Sequence, residues 1–542
     1  MKTTILFLIL LLALSALAGW TRTYGGSSYD YGESVAQTSD GGYIVAGYTY
    51  SFGAGGYDVY LVKTDAVGDT IWTRTYGGFD VDFGYSVAQT SDGGYIVAGE
   101  TYSFGAGGSD VYIVKTDAVG DTLWTRTYGG SDYDYGRSVA QTSDGGYIVA
   151  GYTGSFGAGS RDVYLVKTDA VGDTIWTRTY GGSDNDYGNS VAQTSDGGYI
   201  VAGGTESFGA GSYDIYLVKT DGLGDTIWTR TYGGSDDDYG LSVAQTSDGG
   251  YIVAGVYDYN FGTGTGDVYL VKTDGLGDTL WTRTYGGSSD DRGYSVAQTS
   301  DGGYIVAGVY DYDFGTGTGD VYLVKTDAVG DTLWTRTYGG RDFDWGNSVA
   351  QTSDGGYIVA GFTHSFGAGG LDIYLVKTDA VGDTIWTRTY GGSRADWGYS
   401  VAQTSDGGYI VAGYTESFGA GGYDVYLVKT DSLGYTGIEE NSPSAKPEAF
   451  AISAHPNPFN SAVTITAPAG AEIEVFDING RRVEPVTELV EMPGGADLPS
   501  TSSGSGSCTV VWQPHASLGS GVYLVRATVG EQSTSKRVVY LK

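Results

Sequence analysis

Residues 20–26 read "WTRTYGG", and the same seven letters open at Trp72, Trp124, Trp176, Trp228, Trp281, Trp334 and Trp386, at spacings of 52 or 53 residues. Each later copy follows "KTDAVGDT" or a close variant, whereas the first has only the apolar leader "MKTTILFLILLLALSALAG" before it. A period of this length marks a propeller, solenoid or array, so it is read before any local feature. The unequal context of the first copy is the clue to how such an array would end.

Within one period four runs are separated by turn signals. "SVAQTS" (34–39) leads through "DGG" into "YIVAG" (43–47), and glycine there accepts the positive φ of a tight hairpin. A loop then reaches "DVYLVK" (58–63), and the turn "TDAVGD" leads into "TIWTRTY" (70–76). The two middle runs are apolar at consecutive positions, as expected of strands covered on both faces. The last alternates large and small side chains, which suits an outer strand partly in water. "SVAQTS" carries small side chains and suits a crowded inner position. The Gly, Thr and Tyr content with period-two runs excludes a helical solenoid.

Eight sets of the first three runs are present, beginning at Ser34, Ser86, Ser138, Ser190, Ser242, Ser295, Ser348 and Ser400. The eighth ends in "DVYLVKTDSLGYTGIEE" with no "WTRTY" after it. The orphan at residues 20–24 is therefore expected to supply the missing strand. The predicted fold is all-β: an eight-bladed β-propeller closed by N-terminal strand exchange, followed by a small Ig-like β-sandwich. Closure of that kind removes an exposed strand edge.

The expected domains are a cleavable signal peptide at 1–18, the propeller at 19–436, a polar Pro-containing linker at 437–449 and the sandwich at 450–542, with a Gly/Ser/Pro-rich insertion between Pro485 and Ser507. The leader has one Lys2, an apolar run from Ile5 to Leu14 and the small-residue pattern Ala16-Leu17-Ala18. Cys508 is the single cysteine, so stability outside a cell would come from a large core and not from intramolecular disulfides. With 29 Lys plus Arg against 64 Asp plus Glu the net charge is −35, which makes nucleic acid an improbable partner and suits a solvated extracellular surface.

Two resemblances follow from these residues. The repeat, with "GGSDNDYGNSVAQTSDGGYIVAG" and "DIYLVKTDGLGDTIWTRTYGG", resembles secreted bacterial β-propeller repeats, which implies a fold and an extracellular setting. The C-terminal region is similar to the type A sorting domain of the type IX secretion system. The resemblance is carried by "HPNPFNSAVTI" with Pro456, Asn457, Pro458 and Phe459, by "FDINGRRV" with Gly480 and Arg481, by "SGVYLVR" with Gly521, Val522 and Tyr523, and by "KRVVYLK" with Lys536 and Lys542. It implies the type IX secretion machinery as a partner and delivery to the medium or the outer cell surface of a Gram-negative-type bacterium.

Variation among the copies concentrates on one predicted rim. After the loop glycine stand Glu33, Tyr85, Arg137, Asn189, Leu241, Tyr294, Asn347 and Tyr399; after the second strand stand Tyr48, Glu100, Tyr152, Gly204, Val256, Val309, Phe362 and Tyr414. Tyr48, Tyr85, Arg137, Tyr152, Phe362, Tyr399 and Tyr414 are the candidate ligand rim, offering aromatic faces to a glycan or protein. Paired aspartates, Asp80 with Asp82, Asp132 with Asp134, Asp184 with Asp186 and Asp236 with Asp238, are weak Ca²⁺ candidates, since no full Ca²⁺ loop with its distal Glu is present; a loop-bracing role is the stronger expectation. His364, His455 and His515 are scattered, and no cofactor, Ser/His/Asp set or His/Cys metal cluster is indicated. The expectation is a non-enzymatic binding or adhesion scaffold, with a glycan hydrolase using rim carboxylates or a purely structural surface-layer component as alternatives.

Overall fold

The computed structural model describes residues 19–260, 265–313, 317–436, 453–455, 463–468, 472–477, 481–483, 507–512, 514, 518–529, 532–540 and 542. The expected leader at 1–18 and linker at 437–449 lie outside them, as do Pro456, Asn457, Pro458, Phe459 and Gly480. The chain divides into two compact units, Met1–Glu439 and Glu440–Lys542.

The first unit is all-β and repetitive, a propeller-like array of four-stranded antiparallel sheets. After β1 (Trp20–Tyr24), the first repeat consists of β2 (Asp30–Gln37), β3 (Tyr43–Thr49), β4 (Asp58–Thr64) and β5 (Thr70–Tyr76), hydrogen-bonded in that order. The turn between β2 and β3 is built as its letters suggest: Gly41 sits at φ 84°, Thr38 N–H donates to Gly42 O, and the Asp40 carboxylate accepts from Gly42 N–H. Between β4 and β5, Gly68 lies at φ 79° and Asp65 Oδ1 accepts from the N–H groups of Val67 and Asp69. Positive φ is inexpensive only for glycine, so the turn register is written into these two positions.

β4 is buried along its whole length and β3 along nearly all of it, while β5 buries only Trp72 and Tyr76. The apolar layers lie between consecutive repeats. Ile44, Ala46, Val59 and Leu61 of the first repeat, with Trp72 and Tyr76 of its β5, pack on Val87, Tyr95, Val97, Tyr112 and Val114 of the next. Each sheet alone would leave a bare apolar face; stacking covers it, and each buried Val or Leu is worth about 1.5–3 kcal/mol.

β1 belongs to the last repeat. It pairs antiparallel with Asp424–Thr430, Trp20 opposite Lys429 and Tyr24 opposite Val425. Trp20 and Tyr24 share one apolar layer with Ile410, Ala412 and Leu427 of the last repeat and Val35, Tyr43 and Val45 of the first. Trp20 Nε1–H donates to Ala66 O at 3.1 Å, the Tyr24 hydroxyl to Gly68 O at 2.8 Å, and Ser405 N–H to Gln37 Oε1 at 2.9 Å.

Two differences from the sequence reading matter. The first strand was expected at Ser34, whereas it begins at Asp30 and carries a β-bulge between Gly32 and Ser34. The repeats containing Tyr251–Asn260 and Tyr304–Asp313 have longer hairpins and join into an eight-stranded sheet through a parallel bridge, Gly266 to Asp290. The one-residue insertion is absorbed by Asp258 and Asp311, at φ 56° and 55°, whose N–H groups bond to Asp238 and Asp291.

The second unit contains two three-stranded antiparallel sheets, Ser453–His455 with Val463–Pro468 and Ser507–Trp512, and Glu472–Asp477 with Gly521–Val529 and Gln532–Tyr540. Val463, Ile465 and Trp512 of the one share a core with Val475, Tyr523, Val525 and Tyr540 of the other. Of the motif residues, Tyr523 is buried edge-on against Trp512, and Arg481 bonds Asp477 through both its N–H and its guanidinium. Gly521, Val522 and Lys536 lie in strands, and Lys542 N–H donates to Ser520 Oγ.

An unforeseen element is a buried lysine in every repeat. Lys167, 2% exposed, bonds the Asp144 carboxylate at 2.9 Å and Thr168 O at 2.8 Å. Removing one partner of such a pair strands a buried charge. Asp144→Ala is expected to cost about 2–3 kcal/mol, toward the lower end for a buried pair because the aspartate is half exposed; a urea midpoint unchanged from wild type would contradict this.

Candidate functional site

The eight variable residues that follow the loop glycine share one structural position. In each repeat the register of the first strand shifts across that residue: Glu33 lies between Gly32 and Ser34, Tyr85 between Gly84 and Ser86, Arg137 between Gly136 and Ser138. The same holds for Asn189, Leu241, Tyr294, Asn347 and Tyr399. A bulge residue has no partner in the ladder, so its side chain can be re-aimed and changed without disturbing the sheet. The first strands of successive repeats also pack on one another, from Asp30–Gln37 through Asp396–Gln403 and back to Asp30–Gln37. The bulge residues are thus brought together from sequence positions far apart.

Around them runs an aromatic lining. Tyr31 lies 4.7 Å from Tyr48 and 4.8 Å from Tyr414, and Tyr48 meets Phe83 edge-on at 4.8 Å. Tyr152 stands 4.6 Å from Tyr135 and 4.8 Å from Tyr187. Farther along, Trp345 stacks on Tyr294 at 5.1 Å and on Phe362 at 6.0 Å, and the Tyr399 and Tyr414 hydroxyls are 3.1 Å apart. All seven candidate rim residues therefore join this lining, but through contacts with Tyr31, Phe83, Tyr135, Trp345 and Trp397, which the sequence reading left out.

The sector formed by the first three repeats carries charge. Glu100 is 3% exposed and accepts a 2.6 Å hydrogen bond from the Tyr85 hydroxyl. Burial holds its carboxyl above the ordinary carboxylate range; the Tyr85 bond and Arg137 draw it partly back. Glu33 is likewise raised by its enclosure and lowered in part by the neighbouring Tyr48 hydroxyl and the charge of Arg137. The Arg137 guanidinium sits 4.9 Å from the Tyr85 ring centre, 5.6 Å from that of Tyr135 and 5.7 Å from that of Tyr152. One cation held by aromatic faces thus serves two carboxyls from two other repeats. In the repeat that contains Ser295 the half-buried cation is spent: Arg292 binds Asp290 through Nε and Nη2.

The aspartate pairs separate into unlike members. Asp82 is buried and its Oδ2 accepts from Gly78 N–H at 2.8 Å and Ser103 Oγ–H at 2.6 Å; Asp134 and Asp186 repeat this with Gly130 and Ser155 and with Gly182 and Ser207. Asp238 is bonded by Gly234 and Asp258 N–H. Asp80, Asp132 and Asp184 are exposed and bond neighbouring loop atoms, and Asp236 is half-exposed beside Asp258. The buried members brace the loop that enters the first strand. Among the described residues no group of three or more His, Cys, Asp or Glu is placed to hold a metal ion.

No family model matches the chain. It is similar to the regulatory protein FlaEY of Caulobacter vibrioides, 25% identical over 406 residues that cover 61% of this chain and 42% of that protein. The chain thus spans less than half the length of that curated relative. Among solved structures it is similar to a bifunctional GH43-CE protein of Bacteroides eggerthii (TM-score 0.25, 12% identity, 77% of this chain and 64% of that one). It is also similar to the beta-1,2-mannobiose phosphorylase of Listeria innocua (TM-score 0.24, 9% identity, 76% and 91%).

The solved structures named above include enzymes, and the expectation of a non-enzymatic chain is not carried further. Its premise fails as well. The preference for a scaffold rested on the absence of a histidine or cysteine constellation, with rim carboxylates kept as the alternative, yet Glu33 and Glu100 are enclosed carboxyls that burial raises above the ordinary carboxylate range. Their signal in the sequence is that an acidic residue stands at Glu33 and Glu100, where no other copy has one and three of the other seven carry tyrosine. Arg137→Met removes the charge that lowers both carboxyls, so both are expected to titrate higher in carboxyl NMR; unmoved titrations would contradict a shared cation.

Proposed function

We propose that the first unit is an eight-bladed propeller closed by β1, and that the mouth lined by its bulge residues binds and cleaves an extracellular glycan. The observation that carries this reading is the pair Glu33 and Glu100, enclosed among tyrosines and facing one arginine. Glycosidic-bond cleavage needs one carboxyl that keeps its proton and a second that ionises. Glu100, the more buried, suits the proton donor, with Glu33 as its ionised partner. The tyrosine and tryptophan faces beside them suit the apolar sides of sugar rings, and the rim hydroxyls and Asn189 and Asn347 suit their hydroxyl groups.

A turnover screen of neutral glycans with the full chain tests this. Glu100→Gln is expected to lower kcat at least a hundredfold with KM little changed. The wild-type rate should fall as pH rises through the elevated titration of Glu100, because the donor then loses its proton. No turnover and no binding across the panel would contradict the reading.

The second unit, similar in its motifs to a type IX sorting domain with a small Ig-like sandwich, would deliver the first to the outer surface or the medium through the type IX secretion machinery. Tyr523, Arg481 and the terminal Lys542 are the described motif residues that support this. Expression without residues 440–542 in a host that has this secretion system should leave the protein inside the cell; undiminished export would refute the delivery role.

A further inference from the structure

The "GG" of "WTRTYGG" is left unexplained by strand pairing. Its first glycine sits between two carboxylates from neighbouring repeats. At the junction made by β1, a Cβ on Gly25 would overlap Asp424 Oδ1 and come within 2.6 Å of Asp30 Oδ2. Asp30 and Asp424 are 0% and 1% exposed. Two buried like charges around one glycine are costly, so such a pair either shares a proton or holds a cation.

The surrounding groups favour the proton. Asp30 Oδ2 accepts from Gly26 N–H at 2.8 Å and Ser51 Oγ–H at 2.7 Å, and Oδ1 accepts from the Thr49 hydroxyl, so this carboxylate is fully supplied with donors. Asp424 Oδ2 accepts from Ala420 N–H at 3.0 Å, with Gly421 N–H beside it. The other titratable groups within reach are the Tyr60 hydroxyl, which feels both carboxylates, and Tyr57, which feels Asp30. No cation is among the charges acting on Asp424. Burial pushes the Asp424 carboxyl up to about 6, opposed by the Ala420 N–H and reinforced by the charge of Asp30. The arrangement recurs at interior junctions: at Gly391, Asp372 Oδ1 has no hydrogen-bond partner, and that carboxyl is pushed up to about 7 by burial and then by Asp396.

We propose that Asp424 and Asp30 form a proton-dependent latch at the seam, holding β1 most firmly in mild acid and loosening it as the pH rises. The sign follows from linkage. The folded seam keeps a proton that the unfolded chain has already released, so the stabilisation is full below the unfolded titration of Asp424 and fades as pH climbs through its folded value. The inference rests on the pairing of β1 with the last repeat and is independent of the glycan reading.

Hydrogen exchange of the full chain, followed on a peptide spanning residues 20–24 and corrected for intrinsic exchange, tests it. Protection is expected to fall on the order of tenfold between pH 5 and pH 8, as a folded value near 6 against an ordinary aspartate implies. Asp424→Asn, whose amide can donate where the proton did, should abolish that dependence; Asp30→Asn serves as the second variant should the first not fold. Asp372→Asn should leave the dependence at residues 20–24 intact. Equal pH dependence in wild type and both seam variants would overturn the proposal. Protection restored by Ca²⁺ at pH 8 would overturn it as well, because the pair would then be a cation site.

Discussion

The first unit depends on one strand pairing: Trp20–Tyr24 laid against Val425–Lys429. Every other apolar layer lies between repeats that are neighbours in sequence, so those contacts form locally. The layer containing Trp20 and Tyr24 joins residues nearly the whole array apart. Without β1, the last sheet would end in an unpaired edge at Asp424–Thr430 and leave Ile410, Ala412 and Leu427 partly uncovered, a template for association. The loop-closure entropy of joining distant ends is modest because it grows only with the logarithm of length. Two buried aromatic side chains and a five-residue ladder outweigh it.

That frame frees the first strand for chemistry. In repeats of nearly identical sequence, the ladder fixes Gly32, Ser34 and their equivalents, while the bulge residue between them is unconstrained. Glu33, Tyr85, Arg137 and Asn189 can therefore differ without disturbing the ladder, and their differences make one sector charged and another aromatic. The fixed aspartates do the opposite work. Asp82, Asp134 and Asp186 sit at the same place as Asp30 and hold the loop that delivers each bulge residue.

Much of this was legible in the sequence. The 52- or 53-residue period, the "DGG" and "TDAVGD" turns and the missing last "WTRTY" locate the strands and foretell the pairing of β1. What escaped the reading has physical causes. A bulge leaves no trace in period-two alternation, so Asp30–Glu33 read as loop. The Glu33, Glu100 and Arg137 group draws on three repeats, and no local pattern announces a contact between them. Lys63 looked like the polar end of a strand, although its ammonium is buried against Asp40 and Thr64 O. The preference for a non-enzymatic scaffold failed for a related reason: it weighed residue types, whereas the reactivity of a carboxyl is set by its enclosure.

The most direct test of the account is removal of residues 19–26 from a chain that begins at Gly19, followed by thermal melting with and without a synthetic peptide of those residues. A strand that completes the last sheet predicts a clear fall in Tm and its recovery, saturable in peptide, when the missing strand is returned in trans. An unchanged melt, or a fall that the peptide does not reverse, would contradict it.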